Sequence, residues 1–281
     1  MKFDHVLVNV LILAGARSGK DPVAEYAGVA YKVLAKVGGE RMIDRVLRAA
    51  EMAQTVNRRI LCGPSLETIK NDDFLHPLVG SGQVDWAEPQ AGPSGSVQAY
   101  LATHPQCLPL LVTTGDHALL TSEIVDYFVV EASKTGADVA IGLVSYPLLK
   151  RAYPVSKRTV LRFGKEELCG CNLFLFFSSD AVRLIQFWSR LEQDRKRPVR
   201  LIRHLGPWMV FRYLCGTLTL SECLAQVGLR FGLNIREVRL PFPQAAIDVD
   251  KPEDLNLVNE ILSSDFNSRS SPPGQSTESV S

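Results

Sequence analysis

The chain has 281 residues, enough for one large α/β domain or two small ones whose core needs no disulfide or structural metal. It carries 31 basic and 30 acidic side chains, and this balance gives no global electrostatic reason to expect a nucleic-acid partner. Any anion-binding site must therefore be local.

The first predicted element is a strand over residues 6–14, where a nearly continuous apolar run suits a strand buried on both faces of a parallel sheet. Asp4 and Asn9 interrupt the apolar N-terminus, which argues against a signal peptide. The six cysteines form no C-x-x-C pair, and several lie in or beside apolar runs, as reduced core residues do. We therefore expect a cytoplasmic protein.

A long loop rich in glycine and cations follows this strand, within the segment LILAGARSGKDPVAEYAGVAYKVLAKVGG. Backbone N–H groups freed by glycine, together with Lys or Arg, favour phosphate binding. The spacing excludes a P-loop, because only three residues separate Gly15 from Gly19 and Asp21 follows Lys20. The loop also lacks the G-x-G-x-x-G of dinucleotide-binding proteins. It therefore predicts an anion site of another kind.

Strands and helices alternate along the next part of the chain. Apolar residues at helical spacing predict a helix over residues 42–53, and Thr121 precedes a second helix with an apolar inner face. Short apolar runs predict strands over 58–63, 109–116 and 137–145. This alternation favours an α/β fold with a largely parallel sheet.

Beyond residue 150 the pattern becomes irregular, with strands predicted over 171–178 and 234–241. Residues 180–235 are predicted to form a helical insertion, and its most apolar segment carries Arg212 and Glu222, which argues against a transmembrane helix. A basic cluster at 195–203 suits a solvated face, a phosphate site or a membrane surface. Residues 263–281 are rich in Ser and Pro and are predicted to be a disordered tail.

Three polar stretches stand at the ends of predicted elements. Asp116 follows the strand 109–116 at a position where open α/β folds bind ligands, and it suits either a metal ligand or a turn residue that bonds its own backbone. Gly92 to Ser96 form a loop that would let backbone approach a flat ring closely, although Ser94 or Ser96 could instead cap a helix.

The third stretch contains Asp248 and Asp250, in the segment AAIDVDKPEDLNLVNEIL. Extended backbone would point the two carboxylates to opposite faces, so both reach one ion only if the chain turns there. Pro252 and Glu253 after Asp250 predict that Asp250 is a helix N-cap. Asp248 is therefore the preferred second metal ligand beside Asp116.

In this order, the stretches resemble the nucleotidyltransferases of the GT-A type, particularly the molybdenum-cofactor guanylyltransferase-like NTP transferases. The resemblance spans residues 6–262, and the matching positions are Leu13-Ala14-Gly15 with Arg17, Lys32, Gly92 to Ser96, Gly115-Asp116, Asn172 and the segment DVDKPEDL. It implies a Rossmann-like GT-A fold, a single three-layer α/β/α domain over residues 1–262 with a mixed, mostly parallel sheet. Residues 180–235 would lie on the acceptor side of that domain.

The resemblance also implies a site. An NTP would lie with its triphosphate on the loop from Leu13 to Lys32, and Mg²⁺ or Mn²⁺ would be held by Asp116 and Asp248, with Asp250 as a further candidate. Asn172 would contact the acceptor, and Arg17, Lys32 and Asp116 would be catalytic. The residues predicted to bind the nucleotide are Leu13, Ala14, Gly15, Ala16, Arg17, Lys32, Gly92, Pro93, Ser94, Gly95, Ser96, Gly115 and Asp116.

Two departures from the usual pattern bear on the phosphate lysine. The loop before Lys32 is longer than usual, and Ala16 stands where a second glycine is common, so Lys20 competes with Lys32 for the triphosphate. Lys32 is preferred because it keeps its distance from the turn Val37-Gly38-Gly39.

The function implied is Mg²⁺-dependent transfer of NMP from an NTP to a small phosphorylated acceptor, with release of pyrophosphate. The acceptor would be a sugar phosphate, a polyol phosphate or a cofactor precursor. One alternative is a GT-A glycosyltransferase, but these enzymes usually carry their D-x-D in mid-chain, whereas here it lies near the C-terminus. Another is a nucleotide-binding regulator without catalysis.

Overall fold

The computed structural model of the chain describes residues 6–16, 19–194 and 206–270. The strands are β1 (Val8–Leu13), β2 (Lys36–Val37), β3 (Glu40–Arg41), β4 (Val56–Cys62), β5 (Asp85–Ala87), β6 (Leu110–Thr114), β7 (Val139–Ser145), β8 (Leu161–Phe163), β9 (Glu166–Phe176) and β10 (Ile235–Arg239). The α-helices are α1 (Pro22–Ala27), α2 (Met42–Met52), α3 (Leu66–Lys70), α4 (Leu75–Gly80), α5 (Pro93–Thr103), α6 (Ser122–Lys134), α7 (Tyr146–Ala152), α8 (Val182–Asp194), α9 (Pro207–Leu214), α10 (Leu220–Phe231) and α11 (Pro252–Ser270).

The main sheet has the strand order β10-β7-β9-β6-β1-β4-β5, and β8 pairs with β9 beside it. β1 pairs in parallel with β4 and β6, and parallel pairing also joins β4 to β5 and β7 to β10. β9 alone of these central strands runs the other way, antiparallel to β6 and β7. The parallel strands therefore present their carboxyl ends at one edge, where α/β folds bind ligands.

Helices cover both faces of this sheet. On one face α2, α6 and α11 contribute to the larger apolar core, which includes the fully buried residues Phe128, Ile43 and Val258. On the other face α5 and α8 pack over a smaller core that includes Val97 and Ile185. Each fully buried side chain of this size contributes about 1.5–3 kcal/mol to folding, so the two cores hold the strand ends in fixed positions.

The predicted fold class is confirmed: the chain forms a three-layer α/β/α structure with a mixed, mostly parallel sheet. The predicted strand 171–178 instead extends over Glu166–Phe176, because its first half pairs with β8 and with the end of β7. The last helix, α11, runs to Ser270 and so crosses residue 262, where the sequence predicts the end of the domain. The basic cluster at 195–203 and the tail beyond residue 270 lie outside the described residues.

Two backbone segments approach each other closely at the carboxyl edge. Gly63 follows β4 with φ of +84°, and a Cβ atom built on it would lie 2.8 Å from the backbone nitrogen of Gly15 and 2.9 Å from its Cα. The Ala14 N–H also donates to the Cys62 carbonyl at 2.8 Å. A side chain at position 63 would therefore push the Ala14–Gly15 turn away from its place.

We expect Gly63→Ala to destabilise the protein more than Gly82→Ala, a matched control with φ of +74° and open space around it. Both substitutions impose the left-handed conformation on alanine, at a cost of roughly 1–2 kcal/mol. Only Gly63→Ala adds a clash with backbone, worth about 1–3 kcal/mol more. Urea unfolding of both variants measures the difference, and equal midpoints would show that the approach of residues 15 and 63 is not tight.

Candidate functional site

The turns that follow β1 and β6 lie side by side. The Gly115 N–H donates to the Leu13 carbonyl at 2.8 Å. A Cβ atom on Gly115 would lie 2.9 Å from Val33 and 3.0 Å from Ile43, so glycine lets this turn sit close to the segment that carries Lys32. The predicted residues Leu13 to Gly15, Gly115 and Asp116 are thereby brought together at the carboxyl edge of the sheet.

Lys32 connects the two ends of the chain at this edge. It begins a short 3₁₀ helix, Lys32–Leu34, after α1, and its side chain is only 12% exposed. The ammonium donates to the carboxylate of Asp116 and, at 3.0 Å, to Oδ1 of Asp250. Three charged groups predicted from distant parts of the sequence therefore meet at one point.

Asp116 is buried and incompletely satisfied. Its Oδ2 accepts from Lys32, whereas Oδ1 is buried without a hydrogen-bond partner among the described residues. The side-chain hydroxyls of Thr113 and Thr114, at the end of β6, are also buried without a hydrogen-bond partner among the described residues. Buried polar atoms are rarely left unpaired, so this end of β6 is built for a group that supplies partners.

Asp248 and Asp250 occupy different environments. Asp248 accepts from the Arg158 guanidinium and, at 2.9 Å, from the Asn172 side-chain amide, whereas Asp250 faces Lys32. Burial raises the pKa of Asp248 above its usual range, and the neighbouring carboxylates of Asp116 and Asp250 raise it further. Asp250, rather than the sequence-preferred Asp248, therefore shares the Lys32 ammonium with Asp116.

The prediction that Asp250 caps the last helix is wrong. α11 begins at Pro252, and Asp254 accepts the backbone N–H groups of Asp250 and Lys251 at 3.1 and 3.0 Å. The physical reason is that the ion pair with Lys32 engages the Asp250 carboxylate, so a carboxylate within the first turn of the helix satisfies these donors instead.

Asn172 stands at an irregularity of the sheet. The pairing of β7 with β9 shifts between Ile141 and Leu143, so that residues 171–173 of β9 lie opposite Gly142. Asn172 has φ of +50°, the only non-glycine residue in the described chain with positive φ. Such a conformation costs of the order of 1–3 kcal/mol and is often retained where it aims a side chain at a functional site. Here it directs the amide to Asp248.

The loop predicted to bind the base forms the start of α5. Gly92 is the N-cap with φ of +100°, Pro93 opens the helix, and Ser94, Gly95 and Ser96 follow in its first turn. The Ser96 hydroxyl accepts from the Gln90 N–H and donates to the Gly92 carbonyl, which holds the loop rather than capping the helix. A Cβ atom on Gly15 would lie 2.9 Å from Pro89, so this loop borders the Ala14–Gly15 turn.

The two competing lysines differ in their surroundings. Lys20 has a side chain that is 86% exposed and pairs with Glu25 of α1 at 3.0 Å. The short helix α1, capped by the Asp21 carboxylate, was predicted as loop. Ala16 is exposed beside them, and Arg17 lies outside the described residues. The structure therefore gives Lys32, and not Lys20, contact with the strand-end carboxylates.

His117 lies directly after Asp116 and is buried at 1% exposure. Burial lowers the pKa of its imidazole to about 4, against the opposing influence of the Asp116 charge. Neither ring nitrogen forms a hydrogen bond of good geometry with any described residue. His117 is therefore a neutral part of the packing beneath the site at neutral pH.

Comparison with known proteins identifies the family of the chain. The family described as the MobA-like NTP transferase domain matches residues 10–199, more than half of the chain. The chain belongs to this family. It is accordingly a nucleotidyltransferase, and the family predicted from the sequence is confirmed. A comparison with curated proteins found no match.

Solved structures show the same fold. A hypothetical transferase from Thermus thermophilus is 26% identical with a TM-score of 0.71, over 89% of this chain and 99% of that chain. CMP:2-keto-3-deoxy-manno-octonic acid synthetase complexed with CTP is 14% identical with a TM-score of 0.54, over 92% of this chain and 99% of that chain. A 4-diphosphocytidyl-2C-methyl-D-erythritol synthase from Anaerococcus prevotii is 12% identical with a TM-score of 0.54, over 93% and 98%.

Within the described residues, no group of three or more His, Cys, Asp and Glu side chains is arranged to hold a metal ion by itself. In the same part of the chain, no helix combines the length and the apolar character needed to cross a membrane.

Sequence reasoning missed Arg158 and Asp254. Arg158 lies between α7 and β8 and binds Asp248 and Asp254, which are 90 and 96 positions away. The segment SKRTV around Arg158 contains no motif that indicates a buried cation. The only available signal was the segment DVDKPEDL, which places three aspartates together and therefore requires cations nearby.

We expect Lys32→Ala to lower kcat by roughly 10²-fold or more, because an ammonium aimed at developing phosphate charge acts mainly in the transition state. Lys20→Ala should leave kcat nearly unchanged, since its side chain lies in solvent. Both are measured at saturating nucleotide and at a temperature where each variant is folded, because Lys32→Ala also leaves the buried Asp116 unpaired. A severe loss in Lys20→Ala with a mild one in Lys32→Ala would reverse the assignment.

Proposed function

We propose that this chain is a cytoplasmic, divalent-metal-dependent nucleotidyltransferase that moves NMP from an NTP to a small phosphorylated acceptor and releases pyrophosphate. The observation that carries the proposal is the Lys32 ammonium between the carboxylates of Asp116 and Asp250, beside the Ala14–Gly15 turn. A cation flanked by metal-binding carboxylates at the end of parallel strands suits a triphosphate with its magnesium ion. Cytoplasmic location is supported by the six free cysteines.

The residues have distinct tasks in this reaction. An acceptor oxygen forms a bond to the α-phosphorus, and the bond from that phosphorus to the bridging oxygen of the β-phosphate breaks. Negative charge grows on the phosphate oxygens, so the barrier depends on neutralisation and alignment. Lys32 supplies a fixed positive charge, and the glycines of the Ala14–Gly15 and Gly115 turns let backbone approach the nucleotide.

The donor set fits a magnesium ion. Asp116 Oδ1 is a buried carboxylate oxygen without a partner, and Asp250 has a carboxylate that is 39% exposed beside it on Lys32. Magnesium is commonly held by one or two carboxylates together with substrate phosphates and water. Bound there, it would neutralise phosphate oxygens and orient the triphosphate for in-line attack.

The proposed phosphorylated acceptor requires no histidine near Lys32 to act as a general base. A phosphate acceptor is already ionised at neutral pH, so its oxygen attacks without losing a proton to the protein. His117, the nearest histidine in sequence, is buried and neutral. Asn172 lies at the irregularity of β9 and donates to Asp248. We propose that this residue contacts the acceptor.

The nucleotide preference is proposed to depend on the Gly92–Ser96 loop. Gly92, Pro93 and Gly95 offer little side-chain bulk, and Ser96 holds the backbone of the loop in one conformation. Backbone groups in a fixed loop can distinguish bases by hydrogen bonds at their edges, with glycine permitting a close approach to the ring.

The function is tested by pyrophosphate release from ATP, CTP, GTP and UTP, each with Mg²⁺ and a pool of phosphorylated metabolites. We expect one nucleotide to support release that requires the acceptor pool and stops when EDTA removes the metal. The same pool after treatment with phosphatase serves as the control for the phosphorylated acceptor. Release that survives phosphatase treatment would contradict a phosphorylated acceptor, and no release from any NTP would contradict the proposed function.

The three aspartates can be separated by their metal dependence. Asp116→Asn and Asp250→Asn should each reduce kcat/KM by roughly 10²-fold or more and raise the Mg²⁺ concentration needed for half-maximal rate, because each removes a charged ligand. Asp248→Asn should reduce kcat without that shift, because Arg158 and Asn172 engage its carboxylate. Asp73→Asn, an exposed carboxylate away from the strand ends, is the control. If Asp250→Asn needs the same Mg²⁺ concentration for half-maximal rate as wild type, Asp248 rather than Asp250 is the second metal ligand.

A further inference from the structure

Arg158 is a buried cation that the proposed reaction does not yet use. Its side chain is only 8% exposed, and each of its three nitrogens has a partner. Nη1 donates to Asp248, Nη2 donates to Oδ1 of Asp254 at 3.0 Å, and Nε lies 3.4 Å from the Ser156 hydroxyl. A planar guanidinium bridges two carboxylates through separate nitrogens in a fixed geometry, which the point charge of a lysine does not reproduce.

Asp254 links Arg158 to the backbone around Asp250. Its Oδ1 is held by Arg158, while its Oδ2 accepts the N–H groups of Asp250 and Lys251. The turn from residue 248 to 251 is thus fixed at both ends by one guanidinium, through the Asp248 side chain and through Asp254. The Asp250 carboxylate, between these two points, is the one that reaches Lys32.

The loop that carries Arg158 is itself anchored. The Lys150 ammonium at the end of α7 donates to the carbonyls of Pro154 and Ser156, at 2.7 and 2.9 Å. Ser156 is 1% exposed, and its N–H donates to the Tyr153 carbonyl. The guanidinium therefore projects from a rigid support, which is what a residue needs in order to fix the position of another.

We propose that Arg158 is a positioning residue for nucleotidyl transfer: by binding Asp248 and Asp254 it fixes the turn 248–251, and so directs Asp250 toward Lys32 and Asp116. This inference rests on the proposed function for its catalytic consequence. Its structural part, the hold on the turn, is independent of any reaction.

The test compares Arg158→Met, which removes the charge at similar length, with Arg158→Lys. Arg162→Met is the matched control, because Arg162 is an exposed arginine of the neighbouring strand β8 that pairs with Glu167. Amide hydrogen exchange is followed at Asp250 and Lys251 in the protein without nucleotide. In parallel, kcat and the KM for the NTP are measured for each variant.

For Arg158→Met we expect faster exchange at Asp250 and Lys251 with unchanged exchange in β1 and β6. Displacement of a reactant-holding group by about 1 Å can cost 10²-fold in rate, so kcat should fall by roughly that factor while the KM for the NTP changes little. Arg158→Lys should lie between Arg158→Met and wild type, and Arg162→Met should match wild type. Combining Arg158→Met with Asp248→Asn should cost no more than the worse single change, because both act on the same turn.

Three results would overturn the inference. Unchanged exchange at Asp250 and Lys251 would show that Arg158 does not hold the turn, and an unchanged kcat would show that the turn does not matter. Exchange that rises equally throughout the sheet would assign Arg158 a general structural role. If Arg158→Met does not fold, Arg158→Lys is judged by the same criteria. If the wild-type protein releases no pyrophosphate, the proposed function fails, while the exchange measurement still decides whether Arg158 holds the turn.

Discussion

The ion pairs of one ammonium group organise the site. Lys32 comes from the segment after β1, Asp116 from the end of β6 and Asp250 from the turn before α11, and the Lys32 side chain bonds both carboxylates. Two carboxylates would repel each other at this edge without a cation between them, and removing one partner of such a buried pair typically costs about 3–5 kcal/mol. The close contact of the Gly115 turn with Val33 and Ile43 brings Asp116 near Lys32. Arg158 contacts Asp248 and Asp254, on either side of Asp250 in the chain.

The arrangement also explains why a mixed sheet suits this chemistry. Three parallel pairings place the ends of β1, β4, β5 and β6 at one edge, where glycine lets the turns that follow them pack closely. The antiparallel strand β9 then enters between β6 and β7, so Asn172 approaches that edge from the opposite direction along the sheet. The Asp116 side and the Asp248 side of the site are therefore bordered by strands of opposite direction.

Much of the fold was predictable, because long apolar runs such as 6–14 and the helical spacing of α2 report burial directly. Asp116 was recognised as a candidate site residue because Gly-Asp follows a predicted strand. Lys32 was preferred to Lys20 because of its distance from the Val37-Gly38-Gly39 turn. The ranking of Asp248 above Asp250 could not be settled in the same way. The alternation of side chains along extended backbone predicts that the carboxylates of Asp248 and Asp250 point to opposite faces. It does not predict which of the two points toward Lys32. The role of Arg158 could not be predicted from the sequence, because an ion pair between distant residues leaves no periodic pattern in it.

The position of the last site residues in the chain has a consequence for biosynthesis. Every described strand of the sheet ends before residue 240, whereas Asp248, Asp250 and Asp254 follow it. A growing chain that has emerged only as far as β10 carries Lys32 and Asp116 but lacks the carboxylate of Asp250. It also lacks Ile247, Val249 and Val258 of the larger core. The charged edge of the sheet is completed only when the turn 248–251 and the start of α11 have been synthesised.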